Sequence, residues 1–120
     1  MPPATRRSAS ACSPGTDEHP TPVIVEHAVL EVVPGQEEPF GRAFAEAKGI
    51  ISSMPGFRSL RLGRCLEQPN RFVLLVDWDT LEAHTEGFRR SPRYEEWRRL
   101  LHHFYDPFPT VEHYEVVETA

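Results

Sequence analysis

Residues 71–105 read RFVLLVDWDTLEAHTEGFRRSPRYEEWRRLLHHFY, and the spacing of their apolar side chains decides the fold. In Phe72, Val73, Leu74, Leu75 and Val76 both alternating sets are apolar, which a strand tolerates only where both of its faces leave water. The period then changes. Asp79 is a good N-cap, Glu82 three residues on completes a capping box, and Leu81, His84, Thr85 and Phe88 share one helical face. Ser91 caps a second helix with Pro92 at its first position, and Tyr94, Trp97, Leu101 and Phe104 make its apolar stripe. Helices can cover one face of the strand. The other requires a second layer that this short chain does not obviously contain.

Working outward, Gln68-Pro69-Asn70 is a turn cluster, so a strand over residues 57–66 (FRSLRLGRCL) pairs with the central one as a hairpin. Its alternating Arg58, Leu60, Leu62, Arg64 set suits a partly exposed edge. On the other side, Asp106-Pro107-Phe108-Pro109 stops the helix and residues 110–117 (TVEHYEVV) form a last strand, in which the direction of His113 depends on register. Upstream, VIVEHAVLEVV over residues 23–33 is a strand with one set Val23, Val25, His27, Val29 and the other Ile24, Glu26, Ala28, Leu30, Val32. Pro34-Gly35 ends it. Phe40, Phe44, Ala47, Ile51 and Met54 then mark a helix over residues 36–54, with Glu37 and Glu38 in the first turn, where the dipole favours negative charge, and Pro55-Gly56 as its stop. The order is β-α-β-β-α-α-β, a ferredoxin-like split βαβ of the α+β class with its second helix broken in two.

The chain has 120 residues, enough for one core that buries roughly two thirds of the unfolded surface. Residues 1–21 are rich in Pro, Ser, Thr and Ala with almost nothing to bury, so they read as a disordered leader to a domain over residues 22–120. Eighteen acidic residues against thirteen basic ones, without a Lys/Arg-rich run, leave no electrostatic footprint for nucleic acid or an anionic membrane. No stretch is apolar enough to cross a bilayer and no apolar segment follows Arg6-Arg7, which points to the cytoplasm. Cys12 and Cys65 make neither a metal spacing nor a disulfide framework and read as free thiols.

VDWDTLEAHTEGFRRSPRYEEWRRLL resembles the antibiotic biosynthesis monooxygenase domain family: a strand ending in acid-x-Trp, a Thr-x-Glu-Ala helix start and a following Ser-Pro-x-Tyr. The Pro-Gly-Gln-Glu after the opening strand and the Met-Pro-Gly-Phe turn extend the resemblance over residues 22–118. It implies a four-stranded antiparallel sheet with helices on one face, a homodimer in which two sheets pack face to face as a dimeric α/β barrel, and a small-molecule pocket between sheet and helices. In such relatives the substrate anion itself supplies electrons to dioxygen, so no cofactor is required. The implied function is a cofactor-independent monooxygenase acting on a small aromatic or polycyclic compound. A non-catalytic dimer that holds a hydrophobic metabolite, and a haem-binding or haem-degrading protein, are the alternatives. Against haem degradation stands Glu95-Glu96-Trp97-Arg98, where those relatives carry an axial His.

His84, on an otherwise apolar helical face, is the candidate general base. A packing histidine bonded to a backbone carbonyl explains it equally well. His27 is the second candidate catalytic residue. Trp78, Phe88, Tyr105 and His103 are candidate contacts to a small hydrophobic or aromatic guest, although residues such as Trp78 and Phe88 are more often core than pocket wall. His102 and His103 fall in a last helical turn, which favours positive charge. Adjacent helical residues diverge by about 100°, so that pair makes no compact metal site, and none is expected. Neither a nucleophilic triad nor a phosphate-cradling glycine loop is present.

Overall fold

The structure, a computed structural model, describes residues 23–120. The leader over residues 1–21, with Cys12, and the domain boundary at residue 22 lie outside the described residues. The elements run β1 (Ile24–Glu31), α1 (Glu37–Ile51), β2 (Phe57–Arg64), β3 (Arg71–Trp78), a π-helical turn (Ala83–Phe88), α2 (Pro92–Leu101), a 3-10 turn (His102–Phe104) and β4 (Val111–Glu115). The strands form one antiparallel sheet in the order β2-β3-β1-β4. This is the ferredoxin-like α+β architecture expected from the element order, with β2 on an edge as its Arg/Leu alternation requires.

Phe72, Leu74, Val76 and Trp78 of β3 and Glu26, Ala28 and Leu30 of β1 face the helices and are buried. The opposite set, Val25, His27 and Val29 with Val73 and Leu75, stays half-buried on the open face. Both faces are thus apolar, as the sequence indicates, but among the described residues only one is covered. Phe40, Phe44, Ala47 and Ile51 of α1 and Trp97 and Leu101 of α2 close the core, where Phe40 meets Phe72 at 5.0 Å and Phe44 meets Trp97 edge-on at 5.8 Å.

Ends of elements differ from the sequence reading. β2 stops at Arg64, where the hairpin closes through Cys65 N–H to Arg71 O at 2.8 Å, and α1 and β4 are each shorter than expected. Ser91 caps α2 as expected, accepting from Tyr94 N–H at 3.3 Å. Asp79 does not cap the preceding turn: its carboxylate pairs with Arg58 at 2.9 Å, and Thr80 Oγ1 accepts from Ala83 N–H at 3.0 Å instead. The turn that follows is wide. Arg89 N–H reaches His84 O at 3.0 Å, an i to i+5 bond of the kind that inserts an extra residue and often marks a functional site. Gly56 holds this turn against the sheet. Its φ is +87°, and a Cβ there would lie 2.6 Å from Ala83 Cβ, so only glycine fits.

Candidate active site

Because β-strand side chains alternate, the register that buries Ala28 and Leu30 also sends Glu26 into the core. Glu26 is 5 % exposed and faces Val76 of β3 and His113 of β4 across the ladders. The π-helical turn lowers His84, 2 % exposed, onto the same spot. Glu26 Oε1 accepts the indole N–H of Trp78 at 3.0 Å and lies 3.4 Å from His84 Nε2. His84 Nδ1 is 2.8 Å from His113 Nε2, close enough that one of the two must carry the shared proton. Trp78 stacks on the His84 ring at 5.4 Å and 23°, fixing its plane.

Beside this cluster lies a chamber of about 350 Å³ between the sheet, α2 and the segment after it. Glu26, His84 and Arg89 supply polar wall, while Phe88, Tyr94 and Tyr105 supply aromatic wall. Both contacts of Glu26 fall on Oε1, so Oε2 has no protein partner among the described residues. Burial pushes the Glu26 carboxyl up, against the Trp78 hydrogen bond and the positive charge of Arg89. Burial, then Arg89 and His113, hold His84 down to about 3, so it is a neutral imidazole at physiological pH. His113 is lowered by burial and Arg89. Burial raises the phenols of Tyr94 and Tyr105, which remain hydroxyl donors.

The structure gathers some of the expected residues and separates others. His84, Phe88 and Tyr105 line the chamber. Trp78 stands behind the wall, holding Glu26 and His84 rather than touching the cavity. His27 is on the other face of the sheet, because it neighbours the inward Glu26. There it lies 4.0 Å from Glu112 and edge-on to Tyr114, with Nδ1 unbonded among the described residues. His103 is exposed and turns its ring onto Phe104 at 4.2 Å, so it is His102 that reaches the chamber. The sequence reading missed Glu26, Arg89 and the inward direction of His113. The signal for Glu26 was available: it is the one charge in the set Ile24, Glu26, Ala28, Leu30, Val32.

A family model described as antibiotic biosynthesis monooxygenase matches residues 23–100. The chain belongs to that family. Among family-related proteins, YczJ of Bacillus subtilis (strain 168), itself uncharacterized, is 50 % identical over 95 residues, 79 % of this chain and 100 % of that protein. A crystal structure from Bordetella bronchiseptica named for the antibiotic biosynthesis monooxygenases superposes with a TM-score of 0.77 at 34 % identity, covering 81 % of this chain and 99 % of the other. SnoaB from Streptomyces nogalater, named a cofactor-independent oxygenase, shares the fold at a TM-score of 0.61 and 22 % identity over 82 % of this chain and 95 % of its own. Membership gives this protein the family's fold and supports a monooxygenase-like role. Among the described residues no helix is long and apolar enough to cross a membrane.

Proposed function

We propose that this protein is a cofactor-independent oxygenase of small aromatic or polycyclic phenols and carbon acids, working in the cytoplasm as a homodimer joined through the open sheet face. One observation carries the reading: a buried carboxyl at the wall of an aromatic chamber, with one oxygen accepting from Trp78 and lying 3.4 Å from His84 Nε2, and the other left for a guest. Glu26 is therefore the group that takes the substrate proton. His84, whose two nitrogens are both engaged by protein, supports it from behind.

Burial makes the Glu26 carboxylate a stronger base than an exposed one, which suits proton abstraction near neutral pH. As the proton moves, negative charge passes from Glu26 to the substrate, and Arg89 serves as counter-charge to both. The aromatic wall gives the planar anion an apolar surface to lie against. For a methylene between two rings the balance is RR'CH2 + O2 giving RR'C=O + H2O. The delocalised anion supplies electrons to dioxygen, and the proton parked on Glu26 returns to the peroxide oxygen that leaves as water.

Oxygen uptake by metal-free protein with a panel of anthrones and quinols tests this reading. Glu26→Gln is expected to lower the rate by roughly a hundredfold or more, and His84→Ala by less. Equal uptake by wild type and Glu26→Gln would remove the carboxyl from the chemistry. An aromatic guest that co-purifies and stays unchanged in air would make the protein a carrier.

A further inference from the structure

We infer that His113 is the outer end of a proton path, Glu26 to His84 to His113, that connects the chamber to water at the β4 edge of the sheet. The inference rests on the reading of Glu26 as proton acceptor.

Three placements support it. The β1–β4 register sets Glu26 directly opposite His113, so both side chains rise from the helix face of the sheet at one level. His84 descends between them with one ring nitrogen toward each, Nε2 at 3.4 Å from Glu26 Oε1 and Nδ1 at 2.8 Å from His113 Nε2. An imidazole so placed can accept at one nitrogen while it releases at the other. Finally, His113 is half-buried, sits on the edge strand and does not line the chamber. Its Nδ1 has no protein partner among the described residues, so this end of the path is the one open to solvent.

The step moves protons only. A turn of the protonated carboxyl group brings the proton taken from the substrate toward His84; it passes from Glu26 to His84 Nε2 as the one on His84 Nδ1 passes to His113 Nε2, and His113 then releases its Nδ1 proton to water. The reverse sequence brings a proton in, and no electron is transferred. Glu26, His84 and the guanidinium of Arg89 are the charged or titratable groups that bear on His113. Burial and Arg89 both disfavour a resting imidazolium at either ring, so a proton crosses the pair without lodging there. Without such a path, the proton that Glu26 takes from a bound substrate returns to the same anion.

Deuterium uptake from D2O into the methylene of anthrone, followed by NMR without oxygen, measures that return. Wild type should accelerate the exchange. His113→Gln, which keeps an amide able to hydrogen-bond His84, should slow it at least roughly tenfold, with partial recovery on adding free imidazole. Equal exchange in both proteins would overturn the path while leaving Glu26 as acceptor. No acceleration by wild type would instead overturn proton abstraction itself. A second readout needs neither turnover nor a variant: in 15N-histidine-labelled wild type, a coupling through the hydrogen bond should join His84 Nδ1 to His113 Nε2, and its absence would end the proposal.

Discussion

Trp78 donates its indole N–H to Glu26 Oε1 across 3.0 Å, in a core whose other buried polar side chain among the described residues is His84. Trp78→Phe keeps most of the ring and removes the donor. The variant should lose about 1–3 kcal/mol in urea unfolding, the cost of leaving a buried acceptor short of its partner. Because that hydrogen bond opposes the upward push of burial on Glu26, the acid limb of oxygen uptake should also move to higher pH.

Stability should depend on pH through two opposed groups. His84 titrates at about 3 in the folded chain, below its ordinary value of 6.5. Between those values the unfolded chain binds a proton that the native chain does not, so stability rises with pH. Glu26 is raised above 4.5, so its stabilising contribution is complete below that value and fades as pH climbs through the folded one. Glu26→Gln removes the opposing contribution, and its urea midpoint should climb more steeply than wild type from about pH 4 to pH 7. His84→Asn should flatten the curve. Parallel curves for all three proteins would contradict the assignment.

Arg89 lines the chamber and has no carboxylate within ion-pair distance among the described residues, whereas Arg90, Arg93 and Arg98 pair with Glu86, Glu96 and Glu95. Arg89→Gln should weaken binding of a phenolate-bearing aromatic by roughly tenfold, about 1.4 kcal/mol, and leave its neutral methyl ether nearly unchanged. Calorimetric titration of both ligands measures the difference; an equal loss for the two would point to lost packing.

The half-buried Val25, Val29, Val73 and Leu75 form the open face of the sheet. Placing a charge at its centre, as in Leu75→Glu, should shift the proposed dimer toward monomer, since an unpaired carboxylate cannot be covered cheaply by a second apolar sheet. Sedimentation equilibrium reads the change. Wild-type protein that is monomeric at all concentrations would refute the arrangement.

Part of the candidate site could be read from the chain, and the gaps share a cause. His84 stood out as a polar group on an apolar helical face, and Phe88 and Tyr105 as aromatics near it. His27 was misplaced because a strand with two apolar sets does not declare which set faces its helices. The same ambiguity hid Glu26, and one alternation separates the two. His103 and His102 were exchanged because the helix tightens into a 3-10 turn at that point, rotating each side chain away from its α-helical direction.

By itself the sequence determined the element order, the doubly apolar strands, the edge position of β2 and the Ser91-Pro92 helix start, since all of these depend on near neighbours and on spacings of two or three to four residues. Tertiary structure alone decided that Glu26, His84, Trp78 and His113 meet. They come from β1, the π-helical turn, β3 and β4, and only strand register and one widened helical turn bring a carboxyl, two imidazoles and an indole within hydrogen-bonding and stacking range. No local pattern encodes that meeting, because each partner's position depends on how the other elements pack.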